Sequence, residues 1–208
     1  MGTFYLGLDL GQAQDYTALA VVCQVGDKTN INRCAYHVTW LERFKLGTPY
    51  PDVVDRINTM LEKPPLNQGC YLIVDATGVR RPVIEMMKRK GINPIAVTIT
   101  AGIEVIRDEF GYYRVPKRDL VGELQVLLQE GRLKIAEALE HSRTLVQELM
   151  DFKVKITAAA HDTYGVWREG VHDDLVLAVA LACWFGENMV VESVFEVQDP
   201  RELGMFEL

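Results

Sequence analysis

Three acidic stretches stand out because their carboxylates sit in apolar surroundings. Asp9 is the only charge in the run TFYLGLDL, where an ionised carboxylate is costly unless it is paired or metal-bound. Asp75 follows the apolar run CYLIV and precedes Ala76-Thr77-Gly78. That places it at the carboxyl end of a strand, where α/β sheets hold ligands. Asp173-Asp174, preceded by His172, opens the most apolar stretch of the chain, Leu175 to Phe185. Each also has an ordinary structural reading, Asp9 as a turn initiator and the others as helix caps favoured by the macrodipole. The combination says more than its parts. If Asp9 and Asp75 end adjacent strands and the buried helix crosses them, three or four carboxylates converge and repel one another unless divalent cations neutralise them. A donor set made of oxygen favours Mg²⁺ or Mn²⁺ over zinc. Two such ions in a carboxylate cluster suit in-line phosphodiester cleavage.

The elements that must position these residues follow from hydrophobic periodicity. Thr3–Leu10, Tyr16–Val25 and Ile31–Trp40 read as three strands with tight connections, an antiparallel meander with strand one placed centrally. Pro51–Leu61 is a helix with Val53, Val54, Ile57 and Leu61 on one face. Cys70–Val74 is a fully apolar strand, Val79–Lys90 a helix closed by Gly91, and Ile92–Ile99 a strand again. This β-α-β-α-β order implies parallel pairing. Gly102–Pro116 carries no clear period. Asp119–Gln129 reads as a helix, Arg132–Ile135 as a short strand, Ala136–Phe152 as an amphipathic helix and Lys153–Arg168 as a hairpin. Asp173–Phe185 is apolar nearly all round, hence a deeply buried helix, and Glu187–Leu208 reads as a loose tail. The expectation is one α/β domain over residues 1–186, a mixed central sheet flanked by helices, with a tail over 187–208.

Composition narrows the classes. The 208 residues are 49% hydrophobic and 25% charged, normal for a globular chain able to bury a large core. No apolar run reaches the roughly 18 residues of a membrane span, and no secretory signal pattern opens the sequence, so a soluble cytoplasmic protein is expected. Cys23, Cys34, Cys70 and Cys183 form no Cys-x-x-Cys pair and read as reduced, buried thiols. With 29 acidic and 22 basic residues the net charge is −7. A basic footprint for nucleic acid is thus missing overall, although metal-bound carboxylates would invert the local field.

In order along the chain, Gly7-Leu8-Asp9-Leu10-Gly11-Gln12, Asp15-Tyr16-Thr17-Ala18-Leu19, Val74-Asp75-Ala76-Thr77-Gly78, Val115-Pro116-Lys117 and His172-Asp173-Asp174 resemble the nuclease domain of tailed-phage terminase large subunits, of the ribonuclease H-like or RuvC-like group. The resemblance spans about Tyr5 to Trp184. It implies a ribonuclease H-like fold and a Mg²⁺- or Mn²⁺-dependent endonuclease, two ions in its active complex, cutting concatemeric viral DNA during genome packaging. It also implies Asp9, Asp75, Asp173 and Asp174 as catalytic metal carboxylates, with the closer ligand of the last pair left open. Partners implied are double-stranded DNA, an ATPase motor domain, a terminase small subunit and a portal protein, in the cytoplasm of a host cell. No Gly-x-x-x-x-Gly-Lys-[Ser/Thr] loop occurs, so this chain is read as the nuclease without the motor.

Basic residues near the motifs, Arg80, Lys117 and Arg118, are candidates for contact with phosphates, which would make binding weakly selective for sequence. Other readings have distinct signatures. Asp9-Leu10-Gly11 resembles the first phosphate motif of actin-like and sugar-kinase ATPases, but their second phosphate loop and adenosine motif are missing. A Holliday-junction resolvase would share the chemistry and differ in requiring a junction. A non-catalytic docking module would have no need of all the acidic motifs.

Overall fold

The computed structural model describes residues 2–11, 15–26, 30, 34–77, 81–151, 153–156, 162–165 and 173–196. Ten strands occur in chain order: β1 (Thr3–Asp9), β2 (Ala18–Val25), β3 (Ala35–Arg43), β4 (Cys70–Asp75), β5 (Ile95–Thr100), β6 (Ile106–Arg107), β7 (Tyr113–Pro116), β8 (Leu133–Ile135), β9 (Lys153–Ile156) and β10 (Asp162–Gly165). The helices are α1 (Tyr50–Leu61), α2 (Arg81–Arg89), α3 (Lys117–Gln129), α4 (Ser142–Asp151) and α5 (Asp174–Glu196). Eight strands form one sheet in the order β6-β7-β5-β4-β1-β2-β3-β8, and β9 pairs with β10 separately. The meander β1-β2-β3 is antiparallel, as expected from its short connections. On its other side β1 pairs parallel with β4, then β5 and β7 continue in parallel.

Strand alternation splits the interior into two cores. Leu6, Leu8, Leu10, Leu72 and Val74 face α1 and α2, meeting Val53, Val54, Ile57, Val83, Ile84 and Met87. Tyr5, Ala18, Ala20, Val22 and Ile73 face the other way, against Leu120, Leu124 and Leu127 of α3, Leu145 of α4 and the buried length of α5. The result is a sheet with helices on both faces. Cys23, Cys34 and Cys183 are buried, Cys70 is half-buried, and all four are free thiols. Among the described residues no helix is long and apolar enough to cross a membrane.

Several boundaries differ from the sequence expectation, each for a local reason. The third strand is displaced from Ile31–Trp40 to Ala35–Arg43, so that Leu41, Glu42 and Arg43 still pair with β2; residues 31–33 lie outside the described residues. Gly102–Pro116 holds an antiparallel hairpin of β6 and β7, too short to show a period. The helix expected over Ala136–Phe152 starts only at Ser142. Before it His141 adopts φ +64 and the Ser142 hydroxyl donates to the Glu137 carbonyl (2.8 Å), overriding the helix preference of the Ala-Glu-Ala-Leu-Glu segment. The last helix does not stop at Phe185. Gly186 lets the Tyr36 ring pack close, since a Cβ there would lie 2.7 Å from its Cε1, and α5 runs on to Glu196. The first ten residues expected as a loose tail are therefore helical.

Among the described glycines, the tightest approach is that of β1 to α5 at Gly7. A Cβ on Gly7 would fall 1.8 Å from the Ala178 carbonyl oxygen and 3.1 Å from the Ala182 nitrogen. Backbone of a buried helix cannot yield as a flexible side chain does. We therefore expect Gly7→Ala to lower unfolding free energy by about 3 kcal/mol or more, read by urea denaturation with two spectroscopic probes. A loss below about 1 kcal/mol would show that α5 can lift from the sheet.

Candidate active site

The sheet register gathers charged residues at one edge. Leu8 pairs with Val74 across β1 and β4, so Asp9 and Asp75 are the next residues on adjacent parallel strands. On the other side Asp9 pairs with Ala18, and Ala18 with Arg43. Asp75, Asp9, Ala18 and Arg43 thus form a row across four strands spaced about 4.8 Å apart. They alternate with Leu8 and Val74, so the row faces α5. Tyr5 stacks edge-on with Phe185 and Gly7 touches Ala178, which means α5 descends as β1 rises. Asp174, one turn before Ala178, arrives at the level of Asp9. Asp9, Asp75 and Asp174 are all buried (8%, 3% and 4% exposed).

Asp75, Asp173 and Asp174 each have partners of their own. Asp75 Oδ1 accepts from the Thr77 amide (2.8 Å) and hydroxyl (2.5 Å), and Thr77 Oγ1 accepts from the Ile99 amide (2.9 Å). The exit of β1 is fixed by Thr17, whose hydroxyl accepts from the Gly11 amide (3.0 Å) and whose carbonyl accepts from the Phe44 amide (2.9 Å). The Tyr50 hydroxyl donates to the Gly11 carbonyl (2.9 Å). Asp173 accepts from Lys117 Nζ (3.0 Å) and both are about a quarter exposed. Asp174 Oδ2 lies 2.8 Å from Arg43 Nη2.

Arg43 also meets Glu148 of α4, and stands over the Tyr16 ring (4.8 Å). Glu148 Oε2 accepts from the amides of Leu175 (3.1 Å) and Val176 (3.2 Å), which fixes the first turn of α5. Burial pushes the Glu148 carboxyl up to about 7, against the lowering influence of Arg43 and the Val176 and Leu175 amides. Sequence periodicity missed Arg43, Glu148 and Thr77. Only Thr77 had a visible signal, its place two residues after Asp75.

Among the remaining candidates, Arg118 turns away, its Nη2 donating to the Ile103 carbonyl (2.7 Å). Arg80 and His172 lie outside the described residues. Among the described residues no three His, Cys, Asp or Glu side chains are gathered closely enough to hold an ion as they stand. The donor set nevertheless fits a hard dication in kind, being carboxylate oxygens at one end of one sheet. Two of those carboxylates, on Asp173 and Asp174, presently face Lys117 and Arg43.

The fold has counterparts among solved structures. In structure the chain matches the large terminase nuclease of the thermophilic phage G20c (TM-score 0.62, 23% identity, covering 87% of this chain and 81% of that one), solved also with bound magnesium and with bound cobalt. It matches a manganese-soaked human cytomegalovirus terminase nuclease domain as well (TM-score 0.54, 14% identity, 91% and 86% covered). Against the complete HK97 bacteriophage large terminase (TM-score 0.57, 14% identity) it covers 88% of itself and 39% of that chain. No family model and no curated protein matches the sequence. The chain has the fold of a terminase nuclease domain, ribonuclease H-like in its mixed sheet and flanking helices.

Glu148 gives a pH prediction. Its carboxyl is raised in the folded state, so the native protein holds a proton that the unfolded chain releases between about pH 4.5 and 7. Stability contributed by the protonated form is full below about 4.5 and is lost as pH rises to about 7. Relative to Glu148→Gln, the wild type should lose up to about 3 kcal/mol across that window, measured by urea titrations at each pH. A constant difference between the two proteins would place the Glu148 carboxyl at its ordinary value.

Proposed function

We propose that this chain is a divalent-metal-dependent DNA endonuclease, the cutting part of a viral genome-packaging terminase. What supports this reading is that Asp9 and Asp75 end adjacent parallel strands and that α5, which opens with Asp174, packs on β1 at Gly7. Three buried carboxylates at the carboxyl edge of one sheet are suited to binding Mg²⁺ or Mn²⁺, two ions in the active complex. Bound there, such ions would supply Lewis-acid stabilisation of the pentacoordinate phosphorus and a hydroxide nucleophile at neutral pH.

The chain's own residues do the rest. Asp9 and Asp75 are fixed anchors, Asp75 held by Thr77. Asp173 and Asp174, paired with Lys117 and Arg43, would complete the donor set. Lys117 would then be available to a DNA phosphate, since an ammonium serves either anion. Arg80 and Arg118 are proposed as further phosphate contacts, Arg118 on leaving the Ile103 carbonyl. Backbone contacts of this kind select duplex DNA with little regard to sequence. A motor ATPase domain, a small subunit and a portal would deliver the concatemer, in the host cytoplasm.

Plasmid digestion tests the reading. Mg²⁺ and Mn²⁺ should support cutting, while EDTA should abolish it. Asp9→Ala and Asp75→Ala should each lower the rate by about a thousandfold or more and leave the metal-free fold as stable or stabler, because one member of a repelling set is gone. Cutting by either variant at the wild-type rate would remove that residue from the site.

Lys117→Ala gives a separate readout. It should weaken binding to unrelated duplexes equally and flatten the dependence of log affinity on log salt by up to about one. A sequence-restricted, salt-insensitive pattern from the wild type would point instead to a site-specific resolvase.

A further inference from the structure

Arg43 and Glu148 belong to no acidic motif, yet Arg43 meets Asp174 and Glu148 caps the turn that follows it. Arg43 is the last residue of β3 and the outer member of the row Asp75–Asp9–Ala18–Arg43. Its single nitrogen Nη2 stands between Glu148 Oε1 and Asp174 Oδ2. The two oxygens of Glu148 have different tasks. Oε1 engages Arg43, and Oε2 caps the Leu175 and Val176 amides. Both side chains are largely buried, 15% and 6% exposed, so the charges interact in a medium that screens them weakly.

This arrangement divides one positive charge between two carboxylates. Without Glu148 the guanidinium would belong to Asp174 alone and would hold it more firmly than a site awaiting a dication can tolerate. Without Arg43 the pair of carboxylates would draw a dication more strongly, but Asp174 would lose the guanidinium that lies 2.8 Å from its Oδ2.

We propose that Arg43 and Glu148 are the positioning pair of the metal site, Glu148 fixing the first turn of α5 and tempering the hold of Arg43 on Asp174, and Arg43 aiming that carboxylate. The inference rests on the nuclease reading above. It adds two residues that reach the reaction only through Asp174. Groups placed one contact behind a ligand commonly change metal affinity by about 10- to 100-fold.

The test titrates Mg²⁺ into the DNA-free protein at pH 8, following the melting temperature, and in parallel measures plasmid cleavage against Mg²⁺ concentration. Glu148→Gln keeps an oxygen for the cap and removes the charge. Its Mg²⁺ dissociation constant should rise about tenfold, with the rate at saturating Mg²⁺ within about threefold of wild type. Arg43→Met should behave oppositely, with the dissociation constant falling at least about threefold while the saturated rate falls about tenfold or more. The double variant should return the dissociation constant toward wild type. A merely structural pair would lower the melting temperature of metal-free protein without moving the Mg²⁺ constants.

Unchanged constants in a folded Glu148→Gln or Arg43→Met, with a wild type that binds Mg²⁺ and cuts, would overturn this inference alone. Either variant decides it should the other fail to fold. A wild type that neither binds Mg²⁺ nor cuts would bring down the nuclease reading and this inference with it.

Discussion

The contact on which the rest depends is that of α5 lying on β1 without a side chain between them. At Gly7 the helix backbone occupies the place of a Cβ, and Ala178 and Ala182 keep the opposing surface small. This depth puts the first turn of α5 within reach of the strand-end carboxylates. A larger residue at position 7 would lift the helix and carry Asp174 away from Asp9. The sheet order serves the same end, since β1 lies between β2 and β4 and so receives a neighbour on each side of Asp9.

Apolar burial alone would leave α5 poorly registered, because a helix that is apolar nearly all round gains similar energy in many rotations. Directional contacts settle it. At the N-terminus Glu148 caps the amides of Leu175 and Val176. Farther along, Glu187 meets Arg132 through two nitrogens (Nη1 3.0 Å, Nη2 2.5 Å), and Arg132 Nε donates to the Cys34 carbonyl (2.7 Å). Beside that pair runs a buried chain from Tyr5 through Gln24 to Tyr36. Burial, with Glu187 beside it, pushes the Tyr36 hydroxyl far above its ordinary range, so it stays neutral. Two buried ionic anchors, one toward each end of the described helix, thus fix rotation and height where packing is indifferent.

Much of this was legible in the sequence, and the reason is physical. Asp9, Asp75 and Asp174 announce themselves because a charge amid apolar residues needs a cause, and a fold that buries them must bring them a partner. The meander and the parallel crossovers are likewise local, set by short turns and by the β-α-β order. Arg43 and Glu148 were invisible for the opposite reason. Arg43 follows a strand that appeared to end at Trp40, and Glu148 sits in a helix where a carboxylate between Gln147 and Leu149 looks solvated. Their partners lie far along the chain, 105 residues apart for the two of them, and nothing in a local pattern encodes such a pairing. The last helix was expected to end at Phe185, but Gly186 admits the Tyr36 ring and the helix continues.

The charge balance of the chain also takes its meaning from placement. A net charge of −7 gives no basic footprint for nucleic acid, and two described cations beside the row are already committed. Lys117 is on Asp173, and Arg43 is on Asp174 and Glu148. These pairs lower the repulsion among carboxylates in the metal-free protein, a duty that divalent ions would take over. On the proposed reading, ion binding by Asp173 would free Lys117, whose ammonium would then be available to a phosphate. The surface charge need not be basic for that exchange to work. What it requires is that the acid and the base share one edge of the sheet, which β7 and the start of α3 provide by ending in Pro116 and opening with Lys117.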